Sequence, residues 1–312
     1  MDDITDLPFR QICKEMGADL LITEFIASEA LNRDAEKSFR KMRFTEEQRP
    51  IGIQIFGADE DELLRCLEVV EQAEPDFIDI NWGCPVRKVA GKGAGSGILQ
   101  DIPKMLRITS SMVKHAHLPV TVKTRLGYSA DSMMITDFCE ALQDTGIAAL
   151  SIHGRTKTQM YSGVADWTMI GAVKNNPRMT IPIFGNGDIT TPQQALEARN
   201  RYGVDGILIG RAAIGNPWIF QQTKSVLGDL QSPSFLRGFA IPVQTRVAVC
   251  RQHLLASVAF KGERQAIFEM RKHYAAYFRG LYDFKPFRIA LVTVTTLPEV
   301  LDILDNISTH YR

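Results

Sequence analysis

Seven short apolar runs, each separated from the next by a stretch of helical periodicity, set the terms for this chain. They lie at 20–24, 51–56, 77–81, 119–124, 148–153, 181–186 and 206–210. Amphipathic stretches at 59–72, 102–114, 132–143 and 191–202 fall between them. Strand and helix alternating on that spacing implies parallel strands joined by crossover helices. A doubly wound open sheet and a (β/α)8 barrel share this rhythm, and the polar residues decide between them. The runs end in Glu24, Gln54, Asn81, Lys123, His153, Asn186 and the Gly210-Arg211 step, all but Gln54 at or beside the last residue. A barrel gathers the carboxyl ends of all its strands on one active face, whereas an open sheet needs such residues only at its switch point. The expectation is an α/β fold of the TIM (β/α)8 type. No run supplies the first strand: residues 1–10 read as a loop entering a helix that starts at Pro8. The barrel is therefore expected to lack that strand, as in a truncated form or one begun at an internal methionine.

Ser, Pro and Gly interrupt the pattern at 231–242, and beyond it the chain reads as helices at 243–259, 263–282, 287–296 and 298–307. The expected organisation is a barrel over 1–235 and a small α-helical bundle over 242–312. On 263–282, at ~100° per residue, Ile267, Met270, Tyr274, Tyr277, Phe278 and Leu281 share one arc, and Arg264, Arg271, Lys272 and Arg279 another. The whole chain is neutral, with 36 Lys+Arg and 36 Asp+Glu. That balance hides an asymmetry, because residues 241–312 carry 10 basic against 6 acidic, leaving 26 against 30 for the rest. A polyanion-binding face on the helical tail is one reading of this charge, and a solvated cationic face is the other. Five scattered cysteines without a CxxC pair argue against a disulfide scaffold or a zinc site. No apolar run approaches ~18 residues and no signal peptide opens the chain, so a cytoplasmic protein with no membrane contact and no metal is expected.

Chemistry concentrates at Asn81-Trp82-Gly83-Cys84-Pro85-Val86-Arg87-Lys88. A thiol in a Gly/Pro turn at a strand's carboxyl end, with two cations behind it, is poorly placed to be a core residue. With a pKa near ~8.5 it stays mostly protonated at neutral pH and can act as an acid, although Arg87 and Lys88 could push it toward thiolate. Gly185-Asn186-Gly187-Asp188 and Gly210-Arg211 follow consecutive strands, where barrels often hold a phosphate. Arg211 adds a forked cation. A phosphate grip with Gln54, Lys123 and His153 around one mouth suits flavin mononucleotide, the lysine facing negative charge near N1 of the ring. No GxGxxG fingerprint follows any strand, so a Rossmann-held NAD is not supported.

These motifs together resemble the tRNA-dihydrouridine synthases, and among them the bacterial B-type branch. The resemblance rests on residues 1–10, Gln54-Ile55-Phe56-Gly57, Asn81-Trp82-Gly83-Cys84-Pro85 with Lys88, Lys123-Thr124-Arg125-Leu126-Gly127, His153-Gly154-Arg155-Thr156, Gly185-Asn186-Gly187-Asp188, Gly210-Arg211-Ala212 and Arg271-Lys272-His273-Tyr274. It implies an FMN-bearing barrel, a helical tRNA-binding domain, and reduction of tRNA uridines with NADPH or NADH as transient reductant. By position it implies Cys84 as proton donor and Asn81 as the amide that orients uracil. Met1, Gln54, Lys123, His153, Asn186, Gly187, Asp188, Gly210 and Arg211 match flavin contacts. Arg87, Lys88, Arg125, Arg155, Arg271 and Lys272 are expected on RNA, and the protein as a monomer. Two departures stand out: the family's first strand and the Ala-Pro before its Met are missing, and Trp82 replaces a small or polar residue, which would reshape the target pocket. An FMN barrel acting on a free small molecule, or a tRNA-binding module with a decayed flavin site, remain alternatives. Deleting the residues after 241 should spare turnover in the first of these.

Overall fold

The computed structural model describes residues 1–33, 35–228 and 241–312. The expected linker at 231–242, apart from its last two residues, lies outside the described residues, as does the expected limit at 235. The chain divides into two compact units, one of Met1–Asp2 with Leu20–Gly210, the other of Asp3–Asp19 with Arg211–Arg312. The expected boundary and this division differ at the opening helix and in the segment after Gly210.

The first unit is built on one parallel sheet: β1 (Leu21–Ile22), β2 (Ile26–Ala27), β3 (Ile51–Phe56), β4 (Phe77–Trp82), β5 (Val120–Arg125), β6 (Ala149–His153), β7 (Ile183–Asn186) and β8 (Gly206–Leu208). β1 and β2 lie end to end along the same edge of β3, so seven strand positions result. Ile22 pairs with Gly52 but Ile26 with Ile55, so one extra residue is accommodated between them. That bulge turns the Thr23 hydroxyl inward, where it accepts the Gln54 backbone N–H at 3.0 Å. Among the described residues, no strand pairs with the outer edges of β1 and β8. The architecture is a partial (β/α) barrel, open by one strand, with a helical bundle after it in sequence.

Register sorts the strand residues into two faces, because neighbours in a parallel ladder point the same way and alternate residues oppose. Ile55, Ile80, Val122, Leu150 and Ile183 make one row, and Trp82, Thr124, Ile152 and Gly185 the next. This face meets the helices. At Gly185 a Cβ would come within 2.2 Å of the Trp167 ring, so only glycine lets the helix Trp167–Lys174 approach. The other face carries Gln54–Asp79–Thr121, then Asn81–Lys123–Ser151, then Arg125–His153–Asn186. All the strand-borne polar candidates stand on it. The crossover helices begin where side chains cap them: Asp59 accepts the N–H of Glu62, Asp101 that of Lys104, and Thr191 that of Gln194.

The second unit is helical: Leu7–Glu15, Ile219–Val226, Val243–Lys261, Glu263–Tyr277, Lys285–Thr293 and Leu297–His310. Phe9 and Ile12 of the opening helix are buried, and the Phe9 ring lies 5.6 Å from that of His253 and 5.2 Å from that of His273. Lys261 pairs with Asp6, at the start of the opening helix, and with Glu269 at 2.5 Å. The helix expected to run to 282 stops at Tyr277, before Gly280 at φ +85°. Phe278 and Leu281 nevertheless join the core from the turn. No helix among the described residues is long and apolar enough to cross a membrane.

Candidate active site

Asp79, which the sequence reading passed over, sits at the centre of the polar face. Its carboxylate accepts the Gln54 side-chain amide at 2.6 Å and the Thr121 hydroxyl at 2.5 Å. Gln54 in turn accepts the Asn81 amide at 2.8 Å. Burial pushes the Asp79 pKa up, against the pull of Thr121, Gln54 and Lys123. Asp79 stands two residues before Asn81, on the same face, and that parity was the available signal.

Asn81 shapes the loop that follows. Its side-chain oxygen accepts the backbone N–H of Gly83 at 3.0 Å and of Cys84 at 2.8 Å. The Cys84 carbonyl then accepts both the N–H and the hydroxyl of Ser96, at 3.0 and 2.8 Å. The thiol packs with Val89 and Ala94, with Phe25 and Phe56 at the edge of that cluster. Burial raises its pKa, only partly offset by a Val86 backbone hydrogen bond, Arg125 and Lys123. Arg87 and Lys88, feared as depressants of the thiol, are exposed on the short helix Arg87–Ala90 and are not among those influences. A protonated sulfur is the result.

Lys123 is half-buried beside Asn81. Burial and the Arg125 guanidinium pull its pKa down to about 8, with Asp79 and Cys84 opposing. Trp82 points the other way, its indole N–H donating to Thr109 on the helix Ile102–His115 at 3.0 Å. The expectation that it shapes the target pocket is corrected: alternation along β4 puts residue 82 outside when residue 81 is inside.

Arg125 and Arg155, expected on RNA, are each only 2 % exposed. Arg125 donates to the carbonyls of Gly83, Thr156 and Met160 at 2.8, 3.0 and 3.0 Å. Arg155 forks onto Asp188 and donates to the carbonyls of Ser162 and Gly163. Both placements run against an RNA contact, because burial commits these guanidinium groups to loop carbonyls and, for Arg155, to a carboxylate. Asn186 donates to the Leu208 carbonyl at 2.8 Å, and Gly187 takes φ +130° where a Cβ would meet Ala165 at 2.6 Å and His153 at 3.0 Å. The Met1 sulfur lies 3.6 Å from a Cβ built on Gly210, so these two flavin candidates adjoin. Arg211 opens the short 3-10 turn Arg211–Ala213 in the second unit. Arg271 and Lys272 lie on the helix Glu263–Tyr277: Lys272 is exposed, and Arg271 covers the Phe268 ring at 4.3 Å and donates to the Val294 carbonyl at 3.2 Å.

The sequence model of the dihydrouridine synthases matches residues 1–311. The chain belongs to this family. It is 36 % identical over 301 residues to the tRNA-dihydrouridine synthase B of Xanthomonas campestris pv. campestris, covering 96 % of this chain and 88 % of that protein. The tRNA-dihydrouridine synthase B of Pasteurella multocida is 34 % identical over 309 residues, covering 98 % and 90 %. A probable tRNA-dihydrouridine synthase of Rickettsia conorii is 31 % identical over 312 residues, covering 100 % and 91 %. Among solved structures, a histamine dehydrogenase from Rhizobium sp. 4-9 superposes with a TM-score of 0.52 at 11 % identity, over 81 % of this chain and 46 % of that one. That likeness concerns the fold alone.

The donor set suits the flavin that the family implies. Among the described residues, the Lys123 ammonium forms no hydrogen bond or ion pair with another side chain, and it stands beside Asn81 and close enough to Cys84 to feel its charge. Such a cation, kept from water on one side, suits the anionic edge of a flat heteroaromatic ring.

Proposed function

We propose that this chain reduces uridine in tRNA to 5,6-dihydrouridine, with Cys84 as the proton donor. The observation that carries the reading is the thiol itself, held protonated by burial in a loop fixed through Asn81. FMN, when bound and reduced by NADPH or NADH, would supply hydride for uracil C6. Lys123, Gln54, His153, Asn186, Gly187, Gly210 and Met1 would hold it, with Asp188 acting through Arg155. As C6 is reduced, negative charge spreads over C5 and O4 of the uracil, and the Cys84 sulfur gives its proton to C5. A buried thiol suits this acid role because it does not ionise beforehand. Asn81 keeps one amide hydrogen beyond its bond to Gln54 and can present it to the base.

The target base must leave its stack, at a few kcal/mol. Exposed Arg87 and Lys88 near the thiol, and Arg264, Lys272, Arg279, Lys285 and Arg288 of the helical unit, supply cations for RNA phosphates. Arg271, half-buried over the Phe268 ring, adds a further cation beside them. The test is single-turnover oxidation of prereduced enzyme by unmodified tRNA. Cys84→Ala should keep its flavin and its reduction by NADPH, and lose at least ~100-fold in the final transfer. A near-normal rate per flavin would end the proposal.

A further inference from the structure

The turn between the helices Glu263–Tyr277 and Lys285–Thr293 displays an aromatic ring. Gly280 (φ +85°) and Asp283 (φ +48°) both take left-handed backbone, and Leu281 between them packs against the core. Tyr282 is turned outward, 69 % exposed. It is nevertheless fixed. Its carbonyl accepts the Tyr311 hydroxyl at 2.6 Å, and its ring stands 5.5 Å from that of Tyr311 and 6.5 Å from that of His310. More rings lie behind it: His310 is 4.7 Å from Tyr311 and 5.4 Å from Phe287, and Phe287 stacks on Phe284 at 6.0 Å.

The surround selects an occupant. Residues 279–288 hold three cations, Arg279, Lys285 and Arg288, and one carboxylate, Asp283. All three cations are exposed. A partner with a negative charge at every unit and a flat face beside it matches this pattern, since phosphates meet the cations while a base covers the ring. A tyrosine already held in place loses little freedom on being covered, which favours binding there.

We propose that Tyr282 is a stacking platform for an unpaired base of the RNA substrate. The proposal rests on the reading of the chain as a tRNA-modifying enzyme and adds to it a residue that recognises bases through stacking. Stacking releases no counterions, whereas each phosphate contact does. The two kinds of contact therefore differ in their response to salt.

The experiment measures affinity of the full chain for an unmodified tRNA transcript over a range of KCl concentrations. Tyr282→Ala should bind roughly 5- to 100-fold more weakly at every salt, with the slope of log affinity against log salt unchanged. Tyr282→Trp should bind at least as well as the parent, and Arg288→Ala should flatten the slope. Flavin content and melting temperature should match the parent in all three. A Tyr282→Ala protein within two-fold of the parent overturns the platform, as does a Tyr282→Trp protein as weak as Tyr282→Ala, or a slope that falls with the ring. If the parent itself binds no tRNA, the reading of the substrate falls and the platform with it. If the parent binds tRNA and Tyr282→Ala binds it as tightly, the platform alone falls.

Discussion

The guanidinium of Arg155 meets both carboxylate oxygens of Asp188, at 2.9 and 2.7 Å. The loops after β6 and β7 are joined by this pair, and Asp188 also accepts the Ala165 N–H at 2.8 Å. Asp188 holds φ +54°, a left-handed conformation that a non-glycine residue keeps only when its surroundings impose it. Removing either partner leaves the other charge with its remaining bonds unbalanced. Asp188→Asn and Arg155→Met should each destabilise by on the order of 2–4 kcal/mol, below the full buried-pair range because the carboxylate is about one-third exposed. The double variant should lose less than the sum. Strict additivity in urea denaturation would show that the two side chains act separately.

Trp82 offers a contrast. Its indole N–H is satisfied by Thr109, and the Thr109 hydroxyl donates onward to the Met105 carbonyl at 2.8 Å. Thr109→Val should cost about 1–3 kcal/mol by leaving the indole donor unpaired in the core. Turnover and flavin retention per folded molecule should be unchanged. A changed turnover with unchanged stability would return Trp82 to the target pocket.

The opening helix belongs with the helices of the tail. Phe9 and Ile12 are buried at 1 % exposure each in the unit that contains Val243–Lys261. Removing the residues after 241 would therefore uncover this helix as well, and cannot be read as removing a mere appendage. Phe9→Ala should destabilise by about 3–5 kcal/mol. Its loss of hydrogen-exchange protection should appear in Val243–Lys261. Protection lost only within residues 20–210 would assign the helix to the barrel unit instead.

What could be read from the sequence follows from range. The strands were legible because isoleucine and valine alternate with polar residues over five or six positions, a purely local pattern. The same alternation contained the inward side of Asp79 and the outward side of Trp82, which attention to the ends of the runs missed. Arg125 and Arg155 were not legible, because the carbonyls of Met160, Ser162 and Gly163 that hold them come from a loop whose path no local pattern gives. The affiliation of the opening helix was hidden for the same reason: Lys261 and His273, its partners, lie about 250 residues away along the chain. The thiol was legible by its turn, but the suppression of its ionisation depends on Val89, Ala94 and the aromatic rings packed around it.

Two buried histidines give the helical unit a sensitivity to acid. His253 and His273 are 1 % and 4 % exposed, with ring centroids 4.6 Å apart. His253 Nδ1 is 3.2 Å from the Tyr277 hydroxyl, while among the described residues His273 Nδ1 has no hydrogen-bond partner. Burial, then His273 and Lys261, drive the His253 pKa well down. Burial brings His273 from 6.5 to about 4, with Asp6 and Glu269 resisting and Lys261 and Lys272 adding to the fall. Above the unfolded value of 6.5, folded and unfolded chains are both neutral at these rings, and stability is fully present. As pH falls below it, the unfolded chain takes up protons that the folded one refuses, so stability drops until about pH 4. Each ring contributes up to ~1.4 kcal/mol per pH unit within that window. Urea midpoints of the full chain should therefore decline from pH 6.5 toward pH 5, before the paired carboxylates Asp205 and Glu269 begin to protonate. His273→Gln should reduce the decline to about half its slope. A midpoint that holds constant across this window would mean that the rings already carry their protons in the folded protein, and would place water or a compensating charge beside them.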